Sequence, residues 1–157
     1  MIDTLFNPSR QSELLLFRLY RIHATAGATV VRICEQDAGL TRREWRVLAF
    51  VVQNEGVLSS ELAERALLDR ARTSRALTVL ESKGLVERRP RPSNRREIQM
   101  FATDLGRDTH AKLFASVSVI NRQLLSALTQ TERQLLDGLL TRLQEQSETI
   151  AESRYRT

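Results

Sequence analysis

The sequence predicts a mostly α-helical chain with a single small β-hairpin near its middle. Three observations carry that expectation. Only three prolines and six glycines occur in 157 residues, beside abundant Leu, Ala, Arg and Glu, a composition that favours helix. Long stretches at both ends place apolar residues at helical spacing. Between them, short capped segments lead to a turn-rich, arginine-rich loop flanked by two runs that read as strands.

Taken in order, Asn7 caps the first long helix and Pro8 suits its first position, where a missing N–H costs nothing. From Gln11 to about Glu35 its apolar stripe is Leu15, Leu16, Leu19, Tyr20, Ala24, Ala28, Val30, Val31 and Cys34. A helix of ~25 residues is ~37 Å long. That exceeds what a small core needs, and the excess suggests a partner chain. Gly27 interrupts the stripe. It is either a weak point, costing about 0.5–1 kcal/mol relative to alanine, or a place where another backbone or a ligand comes close.

Ala38-Gly39 ends that helix, and Thr41-Arg42-Arg43-Glu44 reads as a capping box for the next. This helix carries Trp45, Val47, Leu48, Phe50 and Val51 and stops near Asn54-Glu55-Gly56. Ser59 is expected to cap a short helix with Leu62, Ala63, Ala66 and Leu67 inward. Asp69 caps another, with Thr73, Leu77 and Leu80 inward and Gly84 as its left-handed terminus. Two short helices joined so tightly make a helix-turn-helix. Leu85 to Arg89 and Glu97 to Phe101 read as strands around the loop Pro90 to Arg96, which makes the hairpin a wing. Thr103-Asp104 caps a long helix from Leu105 to about Leu128, with Leu113, Phe114, Val117, Ile120, Leu124 and Leu125 apolar. Thr129-Gln130-Thr131-Glu132 is a second capping box, for a last helix reaching about Ser153 with Leu135, Leu136, Leu139, Leu140, Leu143 and Ile150 as its stripe.

Charge is concentrated in one place. Asp69 to Arg96 holds nine basic residues against three acids, net +6, while the whole chain carries +5, so the remainder sums to −1. A field this localised implies a polyanion at one face, with nucleic acid the first candidate. The second short helix, Arg70 to Lys83, has the length for a major groove. With Thr73, Leu77 and Leu80 inward, its outward face is Arg70, Arg72, Ser74, Arg75 and Thr78. Arginine there can bridge guanine O6 and N7, worth about 1–3 kcal/mol of discrimination, and Ser74 suits a phosphate oxygen. Arg95 and Arg96 at the wing tip would read minor-groove width. Arg88, Arg89 and Arg91 would contact phosphate, and Ser59 and Ser60 the backbone where their helix begins. The plain alternative is a solvated arginine face. Arginine outnumbers lysine 22 to 2 among the 24 basic residues, but a GC-rich genome produces the same bias.

Other classes have little to stand on. One cysteine, Cys34, excludes an internal disulfide and a cysteine-based zinc site, and two histidines, His23 and His110, form no ligand cluster, so neither metal nor cofactor is expected. No nucleophile–base pairing or Gly-rich phosphate loop points to an enzyme. No apolar run approaches membrane-spanning length and no leader pattern opens the chain, so a soluble, cytoplasmic protein is expected.

From Leu40 to Gly106 the chain resembles the MarR family of bacterial winged-helix regulators. The matching stretches are Leu40-Thr41 with Trp45, Ser59-Ser60-Glu61-Leu62-Ala63-Glu64-Arg65, Leu68-Asp69-Arg70, and Leu80-Glu81-Ser82-Lys83-Gly84-Leu85-Val86-Glu87-Arg88, followed by the wing. With long helices on both sides, the likeness covers essentially the whole chain. It implies a winged helix-turn-helix DNA-binding domain at residues 40–103, with residues 1–38 and 104–157 as dimerisation helices. It also implies a homodimer on a pseudo-palindromic operator, commonly released by a small aromatic or phenolic ligand. Twofold symmetry sets half-site centres about 10 bp apart. The chain departs from the family at the wing, where Asn94 stands in place of an acid that helps fix the tip arginine, and at Ala102, where a leucine is usual. Thr73 replaces a usually aliphatic residue, and its hydroxyl is expected to return to a backbone carbonyl.

Two residues raise the question of a sensor. His23 lies on the apolar face of the first helix. It is either a histidine hydrogen-bonded within a dimer core, or one wall of a pocket for a small aromatic acid shared with Arg18 or Tyr20, Trp45, His110 and Phe114. Cys34 has no basic residue at i±4 to lower its pKa, which favours an inert thiol over a redox sensor. The expected protein is thus a homodimeric, ligand-responsive transcriptional regulator, a repressor rather than an activator. The alternatives are a DNA-binding protein without an effector, architectural or constitutively bound, and a regulator sensing oxidants through Cys34.

Overall fold

The structure, a computed structural model, describes residues 3–66 and 68–154. The chain forms two compact units divided after Ile120. In the first unit, helix α1 (Leu15–Ala38) is followed by α2 (Arg42–Gln53), strand β1 (Val57–Leu58), α3 (Ser59–Arg65), α4 (Arg70–Ser82), β2 (Val86–Arg91) and β3 (Asn94–Ala102). Helix α5 (Asp104–Leu125) begins there, and α6 (Gln130–Arg154) belongs to the second unit.

Helix α1 starts seven residues later than Asn7-Pro8 suggests. Glu13 turns back on its own segment, accepting from Ser9 N–H at 2.8 Å, Ser9 Oγ at 3.0 Å and Arg10 Nε at 2.7 Å. These bonds hold its carboxyl down at about 2 and stabilise a 3-10 turn at Gln11–Glu13. Leu14 then takes an extended backbone (ψ 131), and the regular helix begins only after it. At the other end Gly39 takes φ 58 and donates to Glu35 O at 3.0 Å.

The capping box of α2 is present in full: Thr41 N–H donates to Glu44 Oε2 at 2.8 Å, and Glu44 N–H to Thr41 Oγ1 at 3.2 Å. The same reciprocal pattern links Thr129 and Glu132 at the start of α6, with Thr129 N–H 2.8 Å from Glu132 Oε2. Ser59 differs from expectation. It is the first residue of α3, Leu58 stands at the cap, and no side chain caps that helix. The reason lies in β1, which pairs Val57 with Met100 and Leu58 with Gln99 and so commits the residues before the helix to a sheet. The resulting three-stranded antiparallel sheet has the order β1-β3-β2.

The wing strands are longer than Leu85–Arg89 and Glu97–Phe101. The ladder runs from Val86↔Ala102 to Pro90↔Ile98, then resumes at Arg91↔Asn94 after a register shift. Helix α5 ends at Leu125 rather than near Leu128, because Ser126 and Leu128 donate to Gln123 O and Leu125 O in a turn. Leu67, read as an inward residue, lies outside the described residues.

One core organises the first unit. Leu40, Val47, Leu48, Val51, Leu62, Ala76, Leu77, Leu80, Val86, Met100 and Leu113 are buried together, so α2, α3, α4, the sheet and α5 share it. Fully burying a Leu or Val contributes about 1.5–3 kcal/mol. The tightest joint involves backbone. Gly84 (φ 66) closes α4, with Leu85 N–H donating to Leu80 O at 2.9 Å. Thr103 then donates through its N–H to Leu85 O at 3.1 Å and through its hydroxyl to Gly84 O at 2.7 Å. Gly106 packs so closely on this joint that a Cβ would lie 1.9 Å from the Leu85 carbonyl oxygen. Neither backbone can yield without breaking the joint. Gly106→Ala is therefore expected to destabilise the protein by about 3 kcal/mol or more, measured by urea unfolding; a loss below about 1 kcal/mol would show that the joint yields easily.

Candidate nucleic-acid interface

Helix α4 is presented by its cap and its buried side. Asp69 Oδ1 accepts from Arg72 N–H at 2.8 Å, and the Thr73 hydroxyl donates to Asp69 O at 2.7 Å, the backbone return expected of it. Thr73, Ala76, Leu77 and Leu80 are buried, which turns Arg70, Arg72, Ser74, Arg75 and Thr78 to solvent. Among the described residues none of these three arginines has a carboxylate partner, so their charge is fully available. The Thr78 hydroxyl is already spent on Ser74 O at 3.1 Å.

Sequence reading missed one member of this face. A groove of about 500 Å³ runs between the start of α2 and α4, and Arg43 lines it with Thr41, Glu44, Arg72 and Arg75. Arg43 sits in the first turn of a different helix, so only the packing of α2 on α4 reveals the juxtaposition.

The wing arginines divide into two groups. Arg88 Nε lies 3.0 Å from Glu81 Oε2, joining the wing to α4. Arg89 pairs with Glu87 and lays its guanidinium 4.6 Å from the Phe101 ring centroid. Arg91 Nη1 lies 2.6 Å from Glu97 Oε2, and this guanidinium, with an Asn94 hydrogen bond, holds the Glu97 carboxyl below the usual carboxylate range. Arg95 and Arg96 are exposed and have no such partner among the described residues. The strongest uncompensated charge thus sits at two places, the N-terminal half of α4 and the wing tip.

Of the residues read as a sensor pocket, His110 and Phe114 are in ring contact among the described residues. His23 meets Arg42 instead of its sequence-predicted partners: Arg42 Nη1 is 2.8 Å from Nε2 and Nη2 is 3.4 Å from Nδ1. A guanidinium has no acceptor, so Nε2 must accept. Gly27 leaves room beside the contact: a Cβ there would lie 3.0 Å from Arg42 Nη1, so the guanidinium would have to move by a few tenths of an ångström. Arg18 and Tyr20 are exposed on α1. Trp45 lines a separate groove with Phe50, Ala66 and Leu68, its Nε1 buried without a partner. His110 stacks obliquely on Phe114 with ring centroids 5.9 Å apart; its Nδ1 is also buried and unpartnered, and burial lowers its pKa. Cys34 is fully buried, and desolvation raises its thiol despite the nearby Arg42 charge. Among the described residues no three His, Cys, Asp or Glu side chains converge on a metal position, and no helix is long and apolar enough to cross a membrane.

Comparisons with known proteins agree with this geometry. A model described as the MarR family matches residues 38–97. The transcriptional regulatory protein assigned to the hcr operon of Thauera aromatica is 31% identical over 139 residues, covering 88% of this chain and 84% of that protein. The transcriptional repressor CouR, solved on a 23-mer DNA duplex, shares 26% identity and a TM-score of 0.76 over 91% of this chain and 98% of that one. A MarR family protein of Mycobacterium tuberculosis, solved with p-aminosalicylic acid, shares 27% identity and a TM-score of 0.68 over 83% and 98%. Fold and site together define a winged helix-turn-helix DNA-binding protein, a regulator of transcription rather than an enzyme. The chain belongs to the MarR family.

Two measurements check the reading of individual side chains. On a duplex selected from a random pool, Arg75→Ala is expected to relax discrimination at one base pair by about 1–3 kcal/mol. Arg88→Ala, which removes a charge already paired with Glu81, is expected to change the salt slope by less than about one unit. Equal losses on every sequence from both variants would contradict this division. For Cys34, native protein is expected to react with an alkylating thiol reagent far more slowly than unfolded protein; equal rates would contradict the inert reading.

Proposed function

We propose that this protein is a cytoplasmic repressor that binds a pseudo-palindromic operator as a homodimer and is released by a small aromatic or phenolic acid. The apolar surface its long helices leave exposed carries the dimer. On α1, Leu16 is 79% and Tyr20 64% exposed, with Leu19 and Ile22 beside them. On α6, Leu135 is 62% exposed, and Leu139, Leu140, Leu143 and Ile150 are exposed too. Single exposed leucines are ordinary, but runs at helical spacing on two helices are what an interface would cover. A stable interface buries about 1,200–2,000 Å² in total. The CouR complex with DNA supports the repressor reading by likeness, and the p-aminosalicylic acid complex supports the ligand class.

Within the first unit, the α1–α2 joint is the place where such an acid would act. Arg42 is a cation with no carboxylate partner among the described residues, engaged only by His23 above Gly27. A ligand carboxylate would be a better partner for that guanidinium than a neutral imidazole. It would release DNA only by favouring one arrangement of the chain over another.

Sedimentation and titration test this reading. The wild type is expected to sediment as a dimer at micromolar concentration, and Leu139→Glu with Leu143→Glu to shift it toward monomer with weaker operator binding. Salicylate or p-aminosalicylate is expected to release selected DNA, and Arg42→Gln to weaken that release by about tenfold, the ~1.4 kcal/mol of a lost charge-assisted contact. A wild-type monomer would sink the dimer. Retention of DNA in every aromatic acid and phenol tried would sink the effector.

A further inference from the structure

The tip of the wing is not a simple hairpin. Between Pro90↔Ile98 and Arg91↔Asn94 the register shifts, so Arg95, Arg96 and Glu97 on β3 have no residues opposite them on β2. Extra residues of this kind bulge out and re-aim their side chains. An unpaired three-residue bulge is also loose unless something closes it, because ordering each backbone residue costs about 1–2 kcal/mol of entropy. Side chains provide the closure here. Asn94 Oδ1 accepts from Arg96 N–H at 3.2 Å, Asn94 Nδ2 donates to Glu97 Oε1 at 3.0 Å, and Glu97 Oε2 takes Arg91 Nη1 at 2.6 Å. One carboxylate therefore ties the last residue of β2 to both ends of the bulge. Arg95 and Arg96 are left exposed between the ties.

We infer that Glu97 is a positioning residue for DNA recognition: through Asn94 and Arg91 it sets the aim of Arg95 and Arg96, and so governs how sharply the wing discriminates between sequences. A carboxylate beside a phosphate backbone repels it. Glu97 therefore lowers affinity for any duplex while it raises selectivity. This opposition separates a positioning role from ordinary charge, since loss of the carboxylate should move the two quantities in opposite directions. The inference rests on the reading that the wing tip enters the minor groove.

The test uses the full-length protein and a duplex selected from a random pool, prepared with A·T-rich or G·C-rich steps where the wing protects the DNA, beside an unrelated duplex. Arg96→Ala is the control for the wing reading itself. If it leaves the preference between the two flanks unchanged, that reading fails whatever Glu97 does. Given a response to Arg96→Ala, Glu97→Gln is expected to bind the unrelated duplex about threefold tighter, from one charge removed. The same variant should lose about tenfold of the preference between flanks. The double variant Asn94→Asp with Glu97→Gln has the wild-type net charge and returns a carboxylate opposite Arg91, where Arg91 and Asn94 are register partners. It is expected to recover most of the preference. Amide exchange at Arg95 and Arg96 should quicken in Glu97→Gln and slow again in the double variant, with core amides such as Leu77 unchanged. Wild-type discrimination in Glu97→Gln overturns the inference. So does a double variant as indiscriminate as the single one.

Discussion

Helix α4 and the wing hang from one backbone junction, where residues 84–85 meet residues 103–106. Gly84 follows the end of α4, Leu85 leads into the wing, and Thr103 holds both through two hydrogen bonds while it caps α5 by accepting from Gly106 N–H at 2.9 Å. A side chain at 106 would overlap the Leu85 carbonyl. Backbone contacts of this kind have no rotamer through which to relax, so α4, the wing and the start of α5 share one rigid origin. Arg107 reinforces it from outside: it reaches Glu55 at 2.9 Å, Asp104 at 2.7 Å and the Ala102 carbonyl at 2.7 Å, and the Asp104 and Glu55 carboxylates raise its pKa. A shift at the start of α5 therefore cannot leave α4 and the wing where they were.

On that rigid origin the charges are distributed with some economy. Glu81, Glu87 and Glu97 each take one arginine of the wing, and all three pairs are exposed. Exposed pairs contribute about 0–1 kcal/mol to stability, so their energetic weight in the fold is slight. Their consequence is geometric and electrostatic. They fix the positions of three guanidiniums and cancel the field along the wing's length. Uncancelled charge remains on α4, on Arg43 and at the tip. A uniformly basic face would bind any duplex, whereas two separated foci bind best when phosphates and groove edges fall at matching positions.

Much of this was legible in the sequence because it is written in local chemistry. Both Thr-Glu capping boxes, the Asp69 cap and the stops at Gly39 and Gly84 depend on residues within four positions of one another, and all are found where those residues predict them. The failures share a cause. Ser59 does not cap because Leu58 pairs with Gln99, forty-one residues away, and Arg43 joins the basic face only because α2 lies on α4. The wing strands read short because Pro90 and the run of arginines look like loop, yet a strand at the sheet edge tolerates proline. Asn94 looked like a weakened acid. The acid it would have supplied comes from Glu97, three residues on, through a register shift that no local pattern announces.

The sensor residues show the same limit more sharply. An apolar stripe with one histidine and one glycine says that a helix has a special point, but not what fills it. Arg18, Tyr20, Trp45, His110 and Phe114 were plausible neighbours of His23 by composition, and the structure gives that place to Arg42. The signal was present in Gly27, since a buried glycine in mid-helix marks a close approach. What it could not specify was that the approaching group is a guanidinium from the first turn of α2, five residues before the buried Val47-Leu48 pair of that helix. Arg42 is therefore tied at its backbone to the DNA-binding core and at its charge to the long helix. Any change in the partner of that charge is felt by both.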